Sequence, residues 1–295
     1  MGGGTIGVVQ AYVADATAPE QRTKTLGSLS AVTSAAAMTG PAFGSVMTSV
    51  GGRVAPGLAS AVLSSLVAVF AWRYLRESNE LRASTPHGKP STTTSGEAIR
   101  RVLLKWREPA PKLIWIYTIA IGAFYGVAPT LPLLLTDRFP AVNESNVGYF
   151  VTYLGGMGLI VRALVLGRAV DRLGEKRLAR LGVLCLASGL AIVAAAHSWL
   201  VLWLALTLMP FGTAFIFPAV TGMLSRVVAG NERGLYLGVQ TTFGGVSRVA
   251  FPIAAGALMD TFSRGTPFWV AGALVLFTLP LTGALVAPQP APAAP

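Results

Sequence analysis

The chain has 295 residues, 53% of them hydrophobic and only 12% charged, with a formal net charge of +11. Its mean hydropathy is +0.61. Soluble domains carry about 25% charged residues, so this composition excludes an ordinary cytosolic enzyme and a disordered chain alike. The lone cysteine, Cys185, excludes a disulfide framework, and His87 and His197 lie too far apart to suggest a zinc cluster.

A helix needs about 20 mostly apolar residues to cross a bilayer. Gly2 to Ala14 is apolar but too short, and reads as a remnant or half-span. Thr25 to Gly52 and Val54 to Trp72 are uncharged and of span length. The polar segment 77–111 follows as a cytoplasmic linker. Its Ser84 to Gly96 part is flexible by composition, and Ala98 to Trp106 reads either as a basic amphipathic helix on the inner leaflet or as solvated linker. Leu113 to Thr136, with kinks expected at Pro129 and Pro132, and Ser145 to Gly167 are the next spans. Leu181 to Ser225 carries no Asp, Glu, Lys or Arg and fits two spans turning at His197-Ser198. Leu235 to Met259 and Pro267 to Val286 complete the set, and 288–295 is a Pro/Ala-rich tail. These runs do not alternate as barrel strands would, so they must be helices. The fold class expected is an all-α polytopic membrane protein.

An internal repeat organises the spans. APEQRTKTLG (Ala18 to Gly27) and AGNERGLYLG (Ala229 to Gly238) agree at Ala, Arg, Leu and Gly at a constant offset of 211, and Pro41 falls on Pro252 at the same offset. Two bundles of one duplicated design follow, as in transporters built from parallel repeats. The expected divisions are 1–76 for an incomplete first bundle, 77–111 for the linker and 112–287 for a six-helix second bundle. On this reading the chain starts inside the fourth helix of a twelve-helix protein.

Charge sets the orientation. Most of the 23 Lys and Arg residues fall on one side of this arrangement, while Arg53, Arg138 and Arg264 fall on the other. The basic side is cytoplasmic by the positive-inside rule. The positive charge is therefore topological, and nucleic acid is not an expected partner. Asn143-Glu144-Ser145 is a glycosylation sequon on the outer side.

GRAVDRLGEKR (Gly167 to Arg177) lies on a cytoplasmic loop between two spans. It resembles the G-x-x-x-D-R-x-G-x-[KR]-[KR] loop signature of the major facilitator superfamily, matched at Gly167, Asp171, Arg172, Gly174, Lys176 and Arg177. In physical terms Gly167 and Gly174 allow close packing and a tight turn. Asp171 can face a helix N-terminus or a basic partner, and Arg172, Lys176 and Arg177 anchor the inner face. AAMTGPAFG (Ala36 to Gly44) resembles the G-x-x-x-G-P-x-x-G segment of helix five in antiporter branches, with Ala36 replacing the first glycine. Gly40, Pro41 and Gly44 would kink that helix and admit a second backbone. YVADATAPEQR (Tyr12 to Arg22) is similar to the end of helix four in drug:proton antiporters, with Asp15 and Arg22 at the cytoplasmic edge. Arg226 and Arg233 hold the corresponding edge of the second bundle. RYLRESNELR stands where a sugar porter would carry Pro-Glu-Ser-Pro-Arg, which argues against a sugar carrier.

The resemblance implies a secondary transporter moving small organic molecules by alternating access, with proton-coupled export as the expected mode. An organic-anion facilitator is the alternative, and a transport-dead truncated membrane protein a third reading. A monomer in a plasma or organelle membrane is expected, without cofactor or metal, its partners being the bilayer, a small organic substrate and protons. Ionisable side chains inside spans are costly and hence functional candidates. There are two here. Arg162 lies five residues before Gly167 and is expected to snorkel to the cytoplasm; Arg248 is at mid-depth, facing a polar cavity or helix carbonyls. Gln10, Tyr12, Tyr125, Tyr153 and Gln240 join Arg248 as candidate cavity residues, with Tyr117, Tyr149, Thr241 and Phe243 as further aromatic and polar contacts. Asp15, Asp137, Asp171 and Asp260 all lie near span ends, so a coupling acid at mid-depth is missing from this stretch of sequence. Asp171→Asn is expected to impair conformational exchange more than substrate binding.

Overall fold

A computed structural model of the protein describes residues 9–10, 12–13, 16–18, 21–52, 54–74, 94–143 and 147–283. Among these residues the secondary structure is helical. Helix α1 spans Arg22–Gly51 and α2 spans Ala55–Tyr74. Helix α3, Ser95–Leu104, precedes α4, Pro109–Val127, and α5, Leu131–Arg138. Helix α6, Val147–Ile160, runs through a π-helical turn at Val161–Val165 into α7, Leu166–Ala195. Then come α8, Trp199–Val227, α9, Arg233–Thr261, α10, Thr266–Phe277, and α11, Leu279–Gly283.

The repeat is visible in where these helices begin. Helices α1 and α9 start on Arg22 and Arg233, and α2 and α10 start on Ala55 and Thr266. Both pairs keep the offset of 211 found in the sequence.

Four boundaries differ from the sequence expectation, one being the last span, which is two helices, α10 and α11, interrupted at Thr278. The span placed at Leu113 to Thr136 is two helices, α4 and α5, broken at Ala128 to Thr130. Pro129 lies in that break, and Pro132 in the first turn of α5 needs no N–H donor there. The span ending at Gly167 continues helically into α7, and the chain breaks only at Gly174, with φ +71° and ψ 159°. That conformation is open to glycine and costly for other residues. The second half of the linker is not free chain. Helix α3 is capped by Thr94 Oγ1, which accepts from the Glu97 N–H at 3.3 Å. It packs Ala98 and Val102 against α4 and α9, and the Trp115 indole N–H donates to the Val102 carbonyl at 3.1 Å. Of the two readings of Ala98 to Trp106, the amphipathic helix is the one that forms, and its apolar face meets protein.

Lipid supplies no hydrophobic drive between helices, so close contact rests on small residues that let backbones approach. At the α7–α8 seam a Cβ on Gly212 would lie 2.6 Å from the Leu186 backbone nitrogen. One on Gly182 would lie 2.9 Å from that of Ile216. Between α4 and α9, Gly122 and Gly126 receive the ring and backbone of Phe251. Leu178, Leu186, Leu190, Leu202, Ile114 and Phe268 fill the buried centre. Helix α1 packs against α6, α7 and α8, with Gly27 against Leu166 and Pro218. Helix α2 presents Leu58, Val62, Leu66, Val67 and Phe70 outward, an apolar surface suited to lipid or further helix.

Candidate functional site

Two constellations stand out, one at the cytoplasmic ends of the helices and one at mid-depth. The first is built around the break at Gly174. Reversing the chain there puts Glu175 at the first turn of the second half of α7, where an acid is favoured by the helix dipole. Its carboxylate is buried, at 9% exposure. It is ion-paired with Arg226 at the end of α8 and accepts a hydrogen bond from the Thr23 hydroxyl at the start of α1. Gly222 makes this approach possible, because a Cβ there would collide with Thr23 Oγ1. Beside it, Lys24 Nζ lies 2.6 Å from Asp171 Oδ1. The Arg233 Nε–H donates to the Ser225 carbonyl at 2.7 Å, closing the α8–α9 turn. Arg22 is buried and its Nε–H donates to the Thr17 carbonyl at 3.2 Å.

The signature loop thus brings Asp171 to a basic partner on α1. It assigns Gly174 the turn. Gly167 is otherwise than expected: it is helical, and a Cβ would meet nothing within 4 Å, so no close packing depends on it. Glu175, Thr23 and Gly222 were not singled out in the sequence. An acid set beside Arg172, Lys176 and Arg177 was the available signal for Glu175; nothing local marks Thr23 or Gly222. Helix α1 is continuous through Gly40, Pro41 and Gly44, whose packing lies outside the described residues, as does Asp15.

The second constellation joins four helices. Arg162 sits in the π-helical turn after α6, a feature concentrated at functional sites. Its guanidinium does not snorkel to the cytoplasm. Eleven residues separate it from Leu173, roughly 16 Å of helix rise, because the span runs on past Gly167. The side chain turns back instead, donating to the Gly158 carbonyl at 3.1 Å and the Thr213 hydroxyl on α8 at 3.4 Å. Its Nε is buried with no hydrogen-bond partner among the described residues. Arg248 lies midway along α9 with its guanidinium carbon 4.8 Å from the centre of the Tyr125 ring on α4. Tyr125 is 42% exposed and lies within electrostatic reach of Arg162 as well. Among the described residues neither arginine is paired with a carboxylate. Holding such a side chain in a span costs about 2.5–3.5 kcal/mol on insertion scales.

The other cavity candidates separate. Tyr153 belongs to an aromatic cluster between α6 and α8. Its hydroxyl is 2.7 Å from Thr207 Oγ1 and its ring packs edge-on to Trp203 at 4.9 Å, so its polar end is already engaged. Gln240 is buried at 1% exposure, nearer the cytoplasmic end of α9, and donates to Thr221 Oγ1 at 3.3 Å. Tyr117 is buried against Phe217 and Gly244, whereas Tyr149 is exposed. Thr241 donates to the carbonyl of Leu237, and Phe243 packs edge-on to Trp115. Gln10 and Tyr12 are helical and half-buried. Of the expected group, Tyr125 and Arg248 are in contact; Tyr117 lies within electrostatic reach of both, and Arg162 within reach of Tyr125.

Among the described residues six helical stretches are long and apolar enough to cross a membrane, one of them holding the two spans divided at Gly174. Repeated apolar helices and small-residue seams define an integral multi-pass membrane protein. Residues 1–165 and 114–295 each match the profile of the Major Facilitator Superfamily, and the chain belongs to that superfamily. It is 29% identical to Multidrug resistance protein 2 of Bacillus subtilis (strain 168), over 93% of this chain and 67% of that protein. It is 25% identical to the class D tetracycline resistance protein of Salmonella ordonez, over 99% and 72%. Among solved structures it is similar to the human organic anion transporter MFSD10 (TETRAN), with TM-score 0.78 and 19% identity over 94% of this chain and 67% of that one. A bacterial homologue of the iron transporter ferroportin, in an outward-facing state, aligns with TM-score 0.69 and 20% identity, over 90% and 64%. The chain spans about two thirds of the length of these relatives. It is a membrane transporter of this superfamily, not an enzyme.

Proposed function

We propose that the protein exports small organic molecules by alternating access, with the cytoplasmic latch as the gate that each cycle must break. The observation carrying this reading is that Thr23 and Lys24, at the start of α1, engage Glu175 and Asp171 across the boundary between the bundles. Contacts that close one end of two bundles and can be broken are what rocking about a central site requires. Relatives named for resistance to multiple drugs and to tetracycline support the outward direction. Proton exchange is the proposed coupling. The described residues place no carboxylate at mid-depth, so its proton carrier is sought in residues outside those described.

Flux through proteoliposomes containing the full chain tests this. Lipophilic probes with neutral, cationic and anionic head groups are compared with and without an imposed proton gradient. The expected outcome is saturable flux that an opposing proton gradient accelerates. Saturable flux indifferent to the gradient would remove the proton step and leave a facilitator. No saturable flux for any probe would sink the transport reading in favour of a membrane protein that binds without transporting.

A further inference from the structure

We infer that Arg162, Arg248, Tyr125 and Thr213 form a mid-depth site for the anionic head of an amphiphilic organic acid, a carboxylate or sulfonate on an apolar body. The inference rests on the transport reading and names the substrate class of its site. Depth is the first argument. Thr213 lies fourteen residues from each end of α8, Arg162 fifteen residues past the start of α6, and Arg248 fifteen residues past the start of α9. All three therefore fall near the middle of their spans, about 21–22 Å of helix rise from the ends named.

Charge is the second argument. Two guanidinium groups sit at this depth, and among the described residues no carboxylate pairs with either. Arg162 is held by neutral acceptors alone, the Gly158 carbonyl and the Thr213 hydroxyl, and keeps a buried Nε–H without a partner. Arg248 lies over an aromatic face, which leaves the edge of its N–H fork available. A planar fork matches a carboxylate or sulfonate by two parallel hydrogen bonds, whereas a cationic head would be repelled by both arginines. Tyr125, whose ring carries Arg248 and which lies within electrostatic reach of Arg162, offers an O–H donor to the same anion.

Access is the third argument. Arg248 and Tyr125 are exposed on the faces of α9 and α4, while Arg162 is the deeper, half-buried partner. The polar head would enter past Arg248 and Tyr125 and settle toward Arg162 and Thr213. The π-helical turn at Val161–Val165 carries Arg162, whose guanidinium reaches Thr213 on α8.

The test uses the full chain in detergent and three probes of one shape: naphthoate, naphthamide and naphthylmethylammonium. Naphthoate is expected to bind about tenfold or more tightly than either of the others. R248Q and R162Q are each expected to weaken naphthoate by about tenfold while leaving naphthamide within about twofold, and R248K to recover part of the loss. Should R162Q fail to fold, R248Q on the exposed face carries the test alone. Equal or tighter binding of the ammonium probe, or naphthoate affinity unchanged in R248Q, would overturn the site. Proteoliposome flux of the same probes separates this from the transport reading. Anion binding without flux of any probe removes transport and keeps the site; flux without preference for the anion removes the site and keeps transport.

Discussion

Arg226 on α8 is ion-paired with Glu175 on α7, and the same carboxylate receives the Thr23 hydroxyl from α1. One buried acid thereby ties together three helices and both bundles. A hydrogen bond to a charged group contributes about 1.5–3 kcal/mol. Glu175→Gln removes the ion pair and leaves the amide able to meet Thr23. The expected result is a shift of about tenfold or more toward the cytoplasm-open state. A cysteine replacing Leu26, which is buried at 4% exposure on α1, reports this in a Cys185→Ser background. Faster maleimide labelling is expected, and an unchanged rate would show that the latch does not hold the gate.

The neighbouring pair, Lys24 and Asp171, is of a different kind. Its side chains are 39% and 59% exposed, so about 1 kcal/mol is an upper bound. Asp171→Asn should slow turnover by about fivefold at most, leave substrate affinity unchanged, and lose its effect in high salt. The charge swap Lys24→Asp with Asp171→Lys should restore the rate. Weakened binding with a normal rate would assign Asp171 to the substrate instead.

Two glycines of one signature should respond oppositely to alanine. Gly174 has φ +71° with no neighbour within 4 Å of a Cβ, so Gly174→Ala costs the backbone strain alone, about 1–3 kcal/mol. Gly167 is helical with equally open surroundings, and Gly167→Ala should be neutral or stabilising by up to about 1 kcal/mol. Thermal unfolding in detergent measures both. Equal losses would mean that the loop needs small residues for a contact absent here.

At the outer face Arg138, the last residue of α5, caps the end of α7. Its Nη1 donates to the carbonyls of Ala194 at 2.5 Å, Ala196 at 3.3 Å and Val193 at 3.4 Å. A cation at a helix C-terminus is favoured by the dipole as well as by these bonds. Arg138→Gln should destabilise by about 1.5–3 kcal/mol and raise amide exchange in the last turn of α7. Exchange confined to α5 would place the role elsewhere.

The docked linker helix carries a pH dependence. A hydrogen bond from Arg101 to Glu108, at 2.5 Å, holds the Glu108 carboxyl below its ordinary value, with Lys105 adding to it. A depressed carboxyl stabilises fully above its unfolded value and loses that contribution as pH falls through the folded one. Amide exchange across α3 should therefore quicken on acidification below about pH 4, and Glu108→Gln should remove that dependence. The pair is largely exposed, so the effect on global stability should be small.

The spans were legible because the bilayer enforces a local rule: every backbone group must be satisfied within a helix, so apolar length alone announces each crossing. Arg22 and Arg233 opening α1 and α9 could likewise be aligned from the chain before any fold was known. Boundaries failed where a special backbone intervened. Gly174 rather than Gly167 ended one span, and the kink that Pro129 marks in the sequence became a full break between α4 and α5.

The sequence by itself determined the class of protein, the repeated placement of its helices and the family, each readable from local composition and spacing. Tertiary structure alone decided who meets whom. Whether Tyr125 or Tyr153 joins Arg248 depends on how each helix is rotated about its axis. Apolar runs with little amphipathic contrast do not encode that rotation. The pairing of Thr23 with Glu175 depends on a glycine at position 222 of a third helix, a vacancy of one methyl group that matters only once the helices are packed.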